Sequence, residues 1–387
     1  MQTTNLWDKV DLLGGAAQWD TERGCSQSGR TRGVDGGARG GVERWIYPAV
    51  RPDGKRIRML KVLQSNMCEN NCAYCAFRRD RDVPRSAFRP EELAGLFNDL
   101  VQRRRAEGLF LSSGICSNPI RATERMLATV ELVRKRYGFG GYIHLKVLPG
   151  ADQGGIEESV RLATRVSVNL EAPNERRIGA LSREKSYADL VRCLTETDRA
   201  RRQANRWVSM TTQFVVGASG ESDQELLQAS DALYGNLGLA RAYYSAFQPV
   251  PHTPLENQPP TPPLREHRLY QADFLLRQYG FGMQELVFDA GGNLPAEADP
   301  KQVWAQRHPE FFPIELNRAD TRELVRIPGI GPKSAARIVA RRRQGRLRGL
   351  DHAGLRGALA QRAAPYVLLD GRRPTYQAEL WQPAPVS

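Results

Sequence analysis

A chain of 387 residues with 41% hydrophobic content can bury two domains, or one large α/β domain with an appendage. No apolar run approaches the ~18–20 residues of a membrane span, and the start Met1-Gln2-Thr3-Thr4-Asn5-Leu6-Trp7-Asp8 lacks a basic-then-apolar leader, so a cytoplasmic protein with reduced thiols and no membrane partner is predicted. The formal charge of +13 is uneven: from Ile314 to Pro374, fourteen Lys/Arg stand against five Asp/Glu, a net of +9, which points to a polyanion or else to a merely solvated basic tail.

Between Arg23 and Gly41, seven glycines alternate with Arg23, Arg30, Arg32 and Arg39. Glycine at that density resists regular structure, which predicts a basic loop, either plainly flexible or covering a cleft, with Cys25 a bystander inside it. Apolar or β-branched runs follow at 58–64, 109–112, 142–148, 165–170, 207–216 and 240–247. Helical stripes lie between them: Leu93, Leu96, Phe97, Leu100 and Val101 in one, then Met126, Leu127, Val130 and Val133, with Leu190, Leu194 and Leu226, Leu227 marking two more. Six β–α repeats predict parallel strands with right-handed crossovers, too few for a closed eight-fold barrel, hence an open partial (β/α)6 barrel.

Just after the first run stands Asn66-Met67-Cys68-Glu69-Asn70-Asn71-Cys72-Ala73-Tyr74-Cys75. Three thiolates within eight residues can grip one inorganic object, and three is one short of a closed four-iron cluster or an all-cysteine zinc site. Zinc would need a fourth ligand, and the nearest further cysteines are Cys25 and Cys116; a disulfide has no secretory context to favour it. A cubane held at three corners keeps one iron open.

The chain is then broken by prolines from Pro249 to Pro263, followed by a helix at about 264–279 and an irregular connector at 291–313. Beyond it, Leu324-Val325-Arg326-Ile327-Pro328-Gly329-Ile330-Gly331-Pro332-Lys333-Ser334 resembles the helix-hairpin-helix motif. Gly329 and Gly331 permit a tight turn with exposed amides, Lys333 and Ser334 add a charge and a hydroxyl, and Arg341, Arg342 and Arg343 extend a basic track. Such contacts hold a nucleic-acid backbone without reading sequence; a purely structural hairpin is the alternative.

The C-x3-C-x2-C spacing resembles the signature of the radical S-adenosylmethionine (radical SAM) enzymes, over roughly residues 55–290. That resemblance implies a [4Fe-4S] cluster on Cys68, Cys72 and Cys75, SAM on the open iron, and reductive cleavage to a 5′-deoxyadenosyl radical that abstracts hydrogen. It implies Tyr74 near adenine, and Ser112, Ser113 and Gly114 in place of the usual Gly-Gly-Glu, here without the acid. Ser167, Asn169 and Glu171, on one face if the fourth run alternates, are implied at the ribose or methionine end. Val215 and Gly217 open an apolar-Gly-x-x-Gly-Glu turn ending at Glu221, and His252 holds the glycine place of a Pro-Gly-Thr-Pro-Leu segment. Cys193 reads as core and Cys116 as a small buried hydrophobe; no second cysteine cluster indicates the double-cluster, sulfur-inserting branch.

Five segments are expected: an N-terminal segment 1–54, the partial barrel 55–290, a linker 291–313, a small all-α helix-hairpin-helix domain 314–374 and a tail 375–387. The whole resembles bacterial radical SAM proteins to which DNA modification or repair is ascribed. The implied partners are duplex DNA and a reductant protein such as flavodoxin or ferredoxin. An RNA-modifying enzyme and a non-catalytic iron–sulfur DNA sensor are the competing functions.

Overall fold

Seven strands form one sheet in sequence order in the computed structural model, which describes residues 5–17, 42–51 and 54–375. They are β1 (Ile46–Val50), β2 (Arg56–Leu63), β3 (Gly108–Ser112), β4 (Tyr142–Lys146), β5 (Arg165–Ser167), β6 (Ser209–Val216) and β7 (Arg241–Ala246). Strands β2 to β7 are parallel throughout, so each return needs a crossover. Helices supply it: α2 (Pro90–Gln102), α3 (Pro119–Glu131), α4 (Gln153–Leu162), α5 (Glu175–Leu181), α6 (Tyr187–Gln203) and α7 (Asp223–Leu237). This is the curled half-barrel expected from six β–α repeats.

Alternation divides the sheet into two chemically different faces. Leu60, Val62, Leu109, Leu111, Ile143, Leu145, Val166, Met210 and Phe214 are buried on one, an apolar surface suited to helices. Lys61, His144, Lys146, Arg165, Thr211 and Gln213 are buried on the other, where polar contacts include His144 Nε2 to Ser167 Oγ at 2.8 Å and Arg165 Nη1 to Tyr243 Oη at 3.2 Å, while Thr211 Oγ1 bonds no protein group. Met59, Phe110 and Tyr142 form an apolar cluster on this face.

Three features differ from the expectations. The N-terminal segment contributes structure: α1 (Leu6–Ala16) carries Lys9, paired with Glu92 at 2.9 Å, and β1 adds an antiparallel edge to β2. The alternating Ile46-Tyr47-Pro48-Ala49-Val50 run is half-buried at best, too weak an apolar pattern to stand out. The fourth run ends as a regular strand at Ser167, and pairing with β6 resumes only as an isolated bridge from Glu171, at φ 65°, to Phe214. The supposed irregular connector holds α9 (Pro300–Arg307), started by Asp299, whose side chain accepts from the Gln302 amide at 3.0 Å. The glycine- and arginine-rich stretch 23–41, with Cys25, lies outside the described residues.

The chain divides into two units at His267 and Arg268, within α8 (Pro263–Gln278). In the second unit a core of Leu316, Leu324, Ile327, Ile330, Ala335 and Ile338 gathers α10 (Thr321–Arg326), α11 (Pro332–Gln344) and α12 (Ala358–Ala363). A short parallel pair, β8 (Ile314–Glu315) with β9 (Val367–Leu368), joins the segment before α10 to the one after α12.

Candidate cofactor and nucleic-acid sites

The cysteine loop leaves β2 at its carboxyl end and has almost no regular structure, so its backbone groups need other partners. Arg85 supplies many of them. Its guanidinium donates to the carbonyls of Asn66, Phe77, Arg78 and Arg81 at 2.7–2.9 Å. Arg81 adds bonds to the Ala76 and Pro251 carbonyls at 2.9 and 2.8 Å. Asn66 is fully buried and bridges Pro84 and Ser86. Neither arginine stands out in the sequence, where both look like members of a solvated charge run. The fold makes them the frame of the loop.

From β3, the Glu69 amide donates to the Ile115 carbonyl at 2.8 Å and the Gly114 amide to the Ser65 carbonyl at 2.7 Å. A Cβ on Gly114 would lie 2.2 Å from the Met67 carbonyl oxygen and 3.2 Å from Cys68 Cβ. Glycine is therefore required there for the loop to lie against β3. Ser112 is buried, its carbonyl accepting from Gln64, and Ser113 Oγ donates to the Gly114 carbonyl.

Burial pushes the Cys68 thiol up and carries Cys75 up to about 12, and the neighbouring Cys72 sulfur adds to both shifts. The thiols are thus close enough to interact. Among the described residues, no three His, Cys, Asp or Glu side chains already converge on one metal position. A bound metal would supply the positive charge that buried thiolates require.

Beside them lies a buried ion pair that the sequence does not announce. Lys185 Nζ sits 3.0 Å from Glu171 Oε1, with side chains 10% and 6% exposed. Burial opposes both charges, but Glu171 holds the Lys185 pKa up, while Lys185 and Lys146 hold the Glu171 carboxyl below its usual range. The Tyr74 hydroxyl also bonds Glu171, and burial with that carboxylate raises its pKa well above the ordinary value. Glu171 is stitched to β6 by its own amide to the Gln213 carbonyl and by its carbonyl to the Val215 amide.

The sequence-predicted ligands therefore separate into two kinds. Ser167, Tyr74 and Glu171 are already engaged by protein groups, His144, Glu171 and Lys185 respectively. Asn169 is different: its Oδ1 is buried and has no hydrogen-bond partner. An orphaned acceptor at this position fits a ligand that carries a donor. Gly217, at φ 90°, packs where a Cβ would strike Thr261 Oγ1, and its amide donates to Glu221, which folds back onto the turn. Val215 is buried just before it. His252 adopts φ 59°, the left-handed conformation suited to the glycine whose place it takes.

In the second unit the hairpin has the expected form, with Asp320 and Glu323 capping α10 reciprocally and Gly331 leading into α11. The glycines serve packing. Gly329, at φ 82°, has its Cβ position 2.7 Å from the Leu359 carbonyl of α12, and that of Gly331 is 2.8 Å from Tyr279 Oη. The basic track is shorter than the sequence suggests, since Arg341 bonds the Asp351 and His352 carbonyls and Arg342 the Leu316 and Ala319 carbonyls. Lys333 and Arg343 are exposed on α11, and Ser334 is half-buried. Lys301, from the supposed connector, lies buried under the turn and donates to the Ile330 carbonyl. Burial carries its pKa down to about 7.

A family model described as the Radical SAM superfamily matches residues 62–233, and one described as the Helix-hairpin-helix motif matches residues 311–350. The chain contains a radical SAM domain and a helix-hairpin-helix motif. Domains of the first kind use a [4Fe-4S] cluster and SAM, and the three thiols, the glycine under their loop and the orphaned Asn169 acceptor fit both groups. Among solved structures, methylornithine synthase (PylB) is similar at 15% identity and a TM-score of 0.42, over 50% of this chain and 54% of that one. The FeFe-hydrogenase maturase HydG from Carboxydothermus hydrogenoformans is similar at 13% identity and 0.46, over 55% and 50%. The radical SAM methyltransferase TsrM from Kitasatospora setae is similar at 15% and 0.39, over 50% and 38%. The chain spans about half the length of the first of these structures, and less of the last. No helix among the described residues is long and apolar enough to cross a membrane.

Proposed function

We propose that this protein is a radical SAM enzyme that modifies or repairs DNA, with Cys68, Cys72 and Cys75 holding the cluster and the helix-hairpin-helix unit holding the nucleic acid. The observation that carries this is the cysteine loop at the carboxyl end of β2, framed by Arg85 and lying against Gly114. With cluster and SAM bound, the site supplies one-electron chemistry that removes a hydrogen atom from an unactivated C–H bond. The chain's own residues bind and orient. Lys185 places a positive charge beside the cysteine sulfurs, Glu171 holds Lys185 in place, and Val215 offers an apolar wall. A protein reductant delivers the electron.

Asn169→Ala isolates the cofactor role, because the side-chain oxygen it removes bonds nothing in the protein. We expect unchanged iron content and unfolding midpoint, and SAM bound roughly tenfold more weakly, the effect of one lost hydrogen bond. Equal SAM affinity in calorimetric titration would remove Asn169 from the site.

For the partner, the full-length protein is expected to bind duplex DNA with micromolar or weaker affinity, little sequence preference and a steep loss with salt. Valine at Gly329 or Gly331 would collide with α12 or Tyr279, confounding folding with binding. Charge reversal at the exposed Lys333 and Arg343 avoids this and is expected to weaken binding at least tenfold at low salt, flattening the salt dependence by about two charges. An unaltered salt slope would place the nucleic acid elsewhere. The reaction itself is tested by anaerobic incubation with reductant, SAM and matched DNA or RNA, followed by mass spectrometry of the digested nucleosides. Altered nucleosides in RNA alone would move the function to RNA modification, and absence of SAM cleavage would leave a binding protein.

A further inference from the structure

The turn that ends α5 touches the cysteine loop at a sulfur atom. Ser182, only 4% exposed, follows α5, and its amide donates to the Ile178 carbonyl at 2.9 Å, so the last helical turn sets its position. The Ala73 amide donates to the Leu181 carbonyl at 2.7 Å and holds the loop on the same turn. Between these anchors Cys72 Sγ lies 3.4 Å from Ser182 Oγ, in a buried contact where the thiol donates. The Ser182 hydroxyl passes its one proton on to Glu184 Oε2 at 3.0 Å.

This chain of donors holds only while Cys72 keeps its proton. As a metal ligand it is a thiolate with nothing to donate, and lone pairs would then face lone pairs across the contact. A serine hydroxyl can rotate to suit its neighbours. Turning toward sulfur costs it the bond to Glu184, which is exposed and can be satisfied by water.

We propose that Ser182 is a positioning residue for the iron–sulfur site, its hydroxyl turning from Glu184 to Cys72 when that sulfur becomes a ligand and thereby raising the reduction potential of the bound cluster. The Cys72 proton leaves to solvent at ligation, and the Ser182 proton stays on its own oxygen. A hydrogen bond to a ligand sulfur favours the reduced, more negative state, which is why such bonds tune cluster potentials.

Resting as it does on Cys72 being a ligand, the role is tested on full-length, anaerobically reconstituted protein by iron analysis and spectroelectrochemical titration. Ser182→Ala is expected to hold as much iron and sulfide as the parent, with its potential shifted to more negative values. Ser182→Thr, which keeps the hydroxyl, is expected to restore the parent value. Should Ser182→Ala fail to fold, Ser182→Gly removes the same group and is read in the same way. Equal potentials at equal iron content overturn the role of Ser182 while leaving the cysteine assignment intact. A parent protein that takes up no cluster overturns both.

Discussion

Serine in place of Cys68, Cys72 or Cys75 is expected to leave a folded protein with no SAM-responsive cluster. Three sulfurs are the minimum that holds a cubane with one open iron, so the loss of any one is not shared by the others. A hydroxyl is a poor substitute, because buried sulfur already resists deprotonation, Cys75 up to about 12, and an alcohol resists it far more. Folding is expected to survive, since Arg85, Arg81 and Asn66 frame the loop through its backbone groups. The measurements are iron and sulfide content and the spectrum of the reduced protein with and without SAM. Cys116→Ser serves as the control, because that half-buried thiol lies outside the cysteine loop, with Ser117 Oγ 3.9 Å from its sulfur. A normal, SAM-responsive cluster in all three variants would falsify the assignment.

Glu171→Ala is expected to destabilise the cluster-free protein by about 3–5 kcal/mol, the usual consequence of leaving one half of a buried ion pair without its partner. Lys185 would remain 10% exposed, bonded to no carboxylate, in a setting where burial already opposes its charge. Replacing both residues, as Glu171→Leu with Lys185→Met, is expected to recover most of the loss, because the desolvation cost then disappears with the charges. Urea unfolding of the three proteins measures this, and a loss below 1 kcal/mol in Glu171→Ala would show that the pair is not coupled. The pH dependence follows from the two directions. The Glu171 pKa is lowered in the fold, so its contribution is complete above the ordinary 4.5 and lost as pH falls through the lower folded value. The Lys185 pKa is raised, so its contribution is complete below the ordinary 10.5 and lost as pH climbs through the higher one. The pair therefore stabilises fully between about pH 5 and 10.

This second expectation changes how Glu171 is to be understood. The resemblance, with alternation along the fourth run, implied a carboxylate facing a ligand, for which Glu171→Ala would test binding alone. The ion pair makes the same variant a test of folding, and leaves Asn169, with its orphaned Oδ1, as the cleaner probe of SAM. The hairpin glycines follow a similar course. Their spacing suggested phosphate contact, whereas the nearest groups to their missing side chains are the Leu359 carbonyl and Tyr279 Oη.

What the sequence determined by itself is whatever a short stretch of chain can specify alone. The three cysteines fall within eight residues, and the apolar periods of the six strands and their helices repeat without reference to anything distant. Local patterns of this kind survive folding because each residue's role depends on neighbours a few positions away. The Pro-Gly-Ile-Gly turn was legible for the same reason. Only the tertiary structure could decide which charges are available and which are consumed. Arg85 is spent on four carbonyls, Arg341 and Arg342 on two each, and Lys185 on Glu171 fourteen residues away. Ser182 reaches Cys72 across 110 residues of sequence. A long polar side chain can bond any carbonyl or carboxylate that folding brings within about 3 Å, and nothing in the order of residues records which one that is.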